Sequence, residues 1–200
     1  MALTALIGEP TAMLLFIGGA ARTGKGILVR RLLVERYMPY VHLDVLKRGL
    51  ARGVPEYGID PNAGAKAVGE RLWPLVREMC ASLLRDDIDY VIEGEVLPKD
   101  VAALRDAHPS QVKACFLGYT TITPEEKLRN IRTHGGYPND WAPEYTDAAL
   151  LEVIASMIEF SRYLKRECAV YDIPYFDTSD NFTQTLDQVM AYVVGGSATP

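Results

Sequence analysis

Cysteine is scarce in this chain of 200 residues, and the three present, Cys80, Cys115 and Cys168, stand far apart among apolar neighbours. An odd count without metal-ligand spacing argues against a disulfide framework or a zinc site and reads as buried thiols in a reducing cytoplasm. Long apolar runs are missing as well. The run at 13–17 is too short to span a bilayer, and residues 1–12 carry no basic n-region of a secretory signal, so no membrane partner is expected. Nor is there an excess of positive charge: 21 Lys and Arg stand against 26 Asp and Glu, net −5. That removes the basic footprint of a nucleic-acid binder. Repeats, low-complexity segments and coiled-coil patterning are absent too, and nothing indicates an oligomeric state.

What is present is 48% hydrophobic residues, enough for one sizeable core in a single domain over 1–200. The cations cluster locally, at Arg30-Arg31, Lys47-Arg48 and from Lys127 to Arg132, a distribution suited to a small anionic ligand.

The most informative stretch is Gly18-Gly19-Ala20-Ala21-Arg22-Thr23-Gly24-Lys25-Gly26. It follows an apolar segment of strand length, 13–17, and precedes residues from Ile27 to Leu33 whose apolar positions recur at helical spacing. Strand, Gly-rich turn and helix form the context a phosphate-binding loop requires. Gly19, Gly24 and Lys25 fit G-x-x-x-x-G-K. In that pattern small residues let successive N–H groups turn inward around a phosphate, and the helix N-terminus adds partial positive charge. Gly19, Ala20, Ala21, Arg22, Thr23, Gly24, Lys25, Gly26 and Ile27 are therefore the expected phosphate cradle, with Lys25 reaching the β- and γ-phosphates. Arg22 either touches phosphate or lies on the surface. The position after Lys25, where a Ser or Thr hydroxyl would bind Mg²⁺, holds Gly26.

Downstream, a helix over about 24–36 leads to a strand over 40–45 with Asp44 near its C-terminal end. Ligands of open α/β sheets bind outside the carboxyl ends of the strands, so Asp44 either orients an attacking hydroxyl there or caps the following turn. His42 reads as a core or flanking histidine. A long loop through 53–61 carries Tyr57, a substrate contact or plain surface. A helical region over 63–86 has a broad apolar stripe, and Pro74 predicts a kink or break near Trp73. The next strand, Tyr90-Val91-Ile92, ends in Glu93-Gly94-Glu95; Glu93 is the candidate Mg²⁺ carboxylate and Glu95 its reserve. A short helix from Pro98 and a buried strand over 112–119 follow. Thr123-Pro124-Glu125-Glu126 marks a strong helix start. This helix carries Lys127, Arg129 and Arg132 into a Gly- and Pro-rich segment, a lid over about 129–146 in which Arg129 or Arg132 serves transferring phosphates and part of the charge, Lys127 with Glu126, is surface. A long amphipathic helix from Asp147, a last strand over 173–178, a closing helix and a frayed tail from Gly195 complete the chain.

In layout, residues 13–194 resemble the adenylate-kinase-like P-loop kinases, a group that includes nucleoside monophosphate, shikimate and gluconate kinases and the chloramphenicol phosphotransferases. Only Gly19 to Lys25 matches at the residue level. The resemblance implies a three-layer α/β/α fold with a five-stranded parallel sheet, a substrate-binding insertion over about 46–86 and a small helical lid. It implies ATP and Mg²⁺ as cofactors, Lys25, Asp44, Arg129 and Arg132 in catalysis, and the turn Asp177-Thr178-Ser179 near the adenine, with Thr178 as a nucleotide contact. The function implied is transfer of the γ-phosphate of ATP to a hydroxyl of a small molecule. Two alternatives stand beside it: a nucleotide-binding regulatory protein without catalysis, and a sulfotransferase-like enzyme whose donor loop has a similar composition.

Overall fold

The computed structural model describes residues 12–136 and 140–195. The expectations for the first eleven residues, for Tyr137, Pro138 and Asn139 in the lid, and for the tail beyond Gly195 lie outside the described residues.

Five strands, β1 (Leu14–Gly19), β2 (Tyr40–His42), β3 (Tyr90–Gly94), β4 (Val112–Gly118) and β5 (Tyr175–Asp177), form one parallel sheet in the order β2-β3-β1-β4-β5. Among the described residues seven α-helices connect or close it: α1 (Lys25–Arg36), α2 (Leu43–Gly53), α3 (Ala65–Arg85), α4 (Pro98–Ala107), α5 (Pro124–His134), α6 (Asp147–Val170) and α7 (Phe182–Val194). Successive strand residues face opposite ways, and the two faces of β1 show the result. Leu14 and Phe16 pack with Leu72 and Val76 of α3, Val101 of α4 and Leu164 of α6. Leu15 and Ile17 pack with Leu28 and Leu32 of α1 and with Leu186 and Val189 of α7. Burial on both faces is why the central strands read as continuous apolar runs. A third cluster, with Tyr119, Ile122, Ile131, Leu150 and Ile154, joins α5 to α6 just past the end of β4.

Two local expectations fail. The strand predicted through Val45 ends at His42, and Asp44 lies in the first turn of α2, where a carboxylate complements the partial positive charge of the helix N-terminus. Leu43, Leu46 and Leu50 recur at helical spacing and pack on the core, so the helix forms despite Gly49 and Gly53, and of the loop predicted over 53–61 it absorbs only Gly53. Pro74 does not divide α3, which runs 21 residues without a break. The stripe Val68, Leu72, Val76, Cys80 and Leu84 is buried on both sides of the proline. At about 1.5–3 kcal/mol for each large apolar side chain buried, the stripe outweighs the roughly 3 kcal/mol that proline costs a helix interior.

Candidate functional site

The order of the sheet places β1 between β3 and β4, where connections leave in opposite directions and ligands bind beyond the strand ends. The chain turns there at once. Gly19 has φ 138°, and a Cβ on it would stand 2.1 Å from the Leu117 carbonyl oxygen, so no other residue fits. Ala20 N–H donates to that same oxygen at 3.0 Å. Gly24, at φ 89°, caps α1 without a side-chain bond. From Ala21 to Gly26, the N–H groups have no acceptor among the described residues, a row of donors at a helix N-terminus. Lys25 is 7% exposed. Its Nζ donates to Ala20 O at 2.6 Å and stands 3.6 Å from Glu93 Oε1, so the ammonium is folded over the mouth of the loop. Thr23 is fully buried and donates to the same carbonyl at 2.9 Å. A Cβ on Gly26 would meet only His42 Cε1, at 3.9 Å, so a side chain has room at this position and none is present.

On the β3 side, Glu93 is in register with Ile17 of β1 and His42 of β2. One of its oxygens faces Lys25 and the other contacts His42 Nδ1. A carboxylate accepts, so that ring nitrogen carries the hydrogen. Beyond it, Lys47 bridges Asp44 at 2.8 Å and Glu95 at 2.9 Å. Partial burial pushes Asp44 up, but the hydrogen bond from Lys47 and the charges of Lys47, Lys25 and Arg48 outweigh it and hold the carboxyl below its ordinary value. Glu95 moves the other way, raised by burial that Lys47 only partly offsets. Burial alone would lower Lys47; Glu95 and Asp44 hold it above the usual lysine range.

On the β4 side, α5 leans on the loop. Lys127 is buried, donates to Arg22 O at 2.9 Å and lies 4.1 Å from the centre of the Tyr119 ring. Burial and the Arg22 charge push its ammonium down to about 8. Arg22, at φ 62°, pairs with Asp140 and lies 4.7 Å from the centre of the Trp141 ring, while its Nε is buried without a partner among the described residues. Arg132 donates to the carbonyls of Ala142 and Tyr145 and to Asp147, which occupies it in holding the segment after α5. Arg129 is exposed and makes no hydrogen bond or ion pair among the described residues. Thr178 is buried and donates to Gly118 O at 3.0 Å, while Asp177 accepts from Thr120 and Ser179, so this turn is knitted to the end of β4. A groove of about 370 Å³ between the start of α3 and α6, lined by Gly64, Lys66, Glu70, Met157 and Phe160, shares no lining residue with this cluster.

One side chain differs from its sequence reading. Lys127, expected as surface charge, is buried against the loop; its position four residues before Ile131, which faces the third cluster, was the available signal. His42, expected as a core or flanking histidine, does flank the loop, held by Glu93 opposite Gly26. Among the described residues no three His, Cys, Asp or Glu side chains converge as a metal cage, and no helix is long and apolar enough to cross a membrane.

No family model matches the chain and no curated protein matches it. Solved structures do. The chain is similar to a shikimate kinase from Bacteroides thetaiotaomicron at 15% identity and TM-score 0.56, covering 92% of this chain and 99% of the other. It is similar to a sugar kinase from Janibacter sp. HTCC2649 at 15% identity and TM-score 0.54, covering 92% and 95%. It is similar also to a gluconokinase from Sinorhizobium meliloti 1021 at 13% identity and TM-score 0.52, covering 94% of each chain.

Proposed function

We propose that this chain, built on the fold of the small-molecule P-loop kinases, transfers the γ-phosphate of ATP to a hydroxyl of a small molecule. The observation that carries the reading is the mouth of the loop: Lys25 lies folded over a row of N–H groups that, among the described residues, are unengaged, and Arg22 Nε is buried without an acceptor among those residues. A row of donors with no acceptor among the described residues is a site that an anion completes. Phosphate oxygens would take those donors, and Lys25 would exchange Ala20 O for the β- and γ-phosphates. Phosphoryl transfer asks mainly for positioning and charge neutralisation, and both follow from these groups.

Asp44 is the proton acceptor in this reading. It stays ionised and is about half exposed, so an acceptor hydroxyl can approach it. As the hydroxyl oxygen forms its bond to the γ-phosphorus, the bond from that phosphorus to the β–γ bridging oxygen breaks, ADP leaves, and the hydroxyl proton passes to Asp44. Arg129, exposed and without a hydrogen-bond partner among the described residues, is the arginine assigned to the transferring phosphoryl group. Arg132 keeps the segment after α5 in place, and Thr178 supports the nucleotide end of the site through the turn it anchors. The nucleotide's divalent ion would neutralise charge on the phosphates. The buried free thiols fit a cytoplasmic protein.

Calorimetry with ATP and a divalent ion, followed by mass spectrometry of hydroxyl compounds incubated with both, tests the assignment. Lys25→Ala is expected to abolish nucleotide binding. Asp44→Asn is expected to leave binding within about twofold and to lower kcat by about 10²–10⁴-fold. A fully active Asp44→Asn variant would remove the base assignment. Gly26 favours one second reading, a regulatory nucleotide binder, because the loop hydroxyl is missing; tight ATP binding without turnover of any acceptor would select it.

A further inference from the structure

We infer that the imidazole of His42 stands in for the absent loop hydroxyl and is the protein's ligand to the divalent ion carried by the bound nucleotide, a ligand that favours Mn²⁺ over Mg²⁺. The inference rests on the nucleotide site proposed above. The space beside Gly26 is where the hydroxyl of a Ser or Thr would project, and the group bordering it is the His42 ring edge, with Cε1 3.9 Å from the position of a Cβ. Cε1 lies between the two ring nitrogens. Nδ1 is engaged by Glu93, so in the neutral imidazole the lone pair belongs to Nε2, which makes no hydrogen bond among the described residues. The side chain is 31% exposed, so the nitrogen can be reached.

A carboxylate holding one imidazole nitrogen while the other is left for a metal is the usual outer-shell arrangement of metal-bound histidine, because it fixes the tautomer and raises the basicity of the ligand. Glu93 does more than orient the ring. Its other oxygen faces Lys25, so the residue that would meet the phosphates and the residue that would meet their metal ion are held by one carboxylate. Tyr40 meets the ring edge-on, at 73° between planes and 4.9 Å between centres, and restricts its rotation. Among the described residues no cage of His, Cys, Asp or Glu side chains converges here, so the ion needs phosphate oxygens and water to fill its shell and is expected to bind only with nucleotide. Replacing an oxygen ligand by an imidazole changes ion preference: Mg²⁺ takes oxygen ligands, whereas imidazole nitrogen suits transition-metal ions.

The test uses the whole protein with a non-hydrolysable ATP analogue. Electron spin echo spectroscopy of the Mn²⁺ complex reads the ligand directly, and modulation from a directly bound imidazole nitrogen is expected in the wild type and absent in His42→Ala. Calorimetry is expected to show the analogue binding roughly tenfold or more tightly with Mn²⁺ than with Mg²⁺. His42→Ala should remove that preference, and Gly26→Ser, which supplies the hydroxyl, should improve Mg²⁺-supported binding. A wild-type complex that binds nucleotide without nitrogen modulation overturns this inference and leaves the phosphotransferase reading intact. Failure of the wild type to bind nucleotide with either ion overturns both.

Discussion

Lys47 holds two carboxylates whose titrations are displaced in opposite directions, and that difference decides which of them serves a reaction. Asp44 stays ionised below its ordinary 3.8, while Glu95 is raised above its ordinary 4.5. If Asp44 takes the substrate proton, kcat/KM should stay flat as pH falls to about 4 and decline only below it; a decline setting in above 4.5 would reassign the proton to Glu95. The linkage to stability follows the same signs. Asp44 contributes stability that is present above pH 3.8 and lost as pH falls through its lower folded value, whereas Glu95 costs stability as pH rises from 4.5 through its raised one. Removing their shared partner with Lys47→Met should cost about 2 kcal/mol in urea unfolding near neutral pH, reduced from the cost of breaking a fully buried pair because both acids keep contact with water. At this scale the Gly-rich turn between β1 and α1 was legible from the sequence, since its glycines and lysine lie within a few consecutive positions. His42 and Lys127 were not. Their partners stand 51 and 105 residues away, and no local pattern reports a register between distant elements.

Helices α2 and α3 show which kind of element the sequence misjudges. The alternating Tyr40 to Val45 reads as a strand by period, but a chain leaving the sheet at His42 is free to satisfy its next backbone groups locally, and α2 does so with Leu43, Leu46 and Leu50 inward. In α3 the exposed Pro74 deprives one carbonyl of its helical donor while the apolar stripe holds the helix together. Pro74→Ala should therefore stabilise the protein by about 1–3 kcal/mol in thermal unfolding and leave nucleotide affinity unchanged; a loss of stability would mean that the ring itself packs. In α5 the start at Thr123 was legible because the cap is a local signal, and Thr123 Oγ1 accepts from Glu126 N–H as such a cap should. The work of its arginines was not, since Arg132 reaches forward to carbonyls at Ala142 and Tyr145 whose position depends on tertiary packing. Arg132→Ala should lower stability by about 1–3 kcal/mol while Arg129→Ala leaves it unchanged and lowers kcat; the reverse pattern would exchange their roles.

Across the whole molecule, two-faced burial made the five-stranded parallel sheet predictable, because alternating apolar strands and amphipathic helices have few other ways to bury their surfaces. The tie between the β1 loop and α5 belongs to the assembled fold, and Lys127 is its most exacting member. A lysine lowered to about 8 from 10.5 is folded at a cost when charged. Below pH 8 both states hold the proton and stability is level; between 8 and 10.5 the unfolded chain holds more protons, so stability should rise, by on the order of 3 kcal/mol, and Lys127→Met should flatten that rise. If the loop captures a phosphate as proposed, the same lysine would make that capture an acid–base event. A phosphate settling beside Arg22 and Lys127 would favour the charged ammonium, so near pH 8.5 each nucleotide bound should draw a fraction of a proton from solution. The apparent heat of binding would then differ between Tris and phosphate buffers in proportion to their ionisation enthalpies, and the protein would leave its surroundings slightly more alkaline each time it fills.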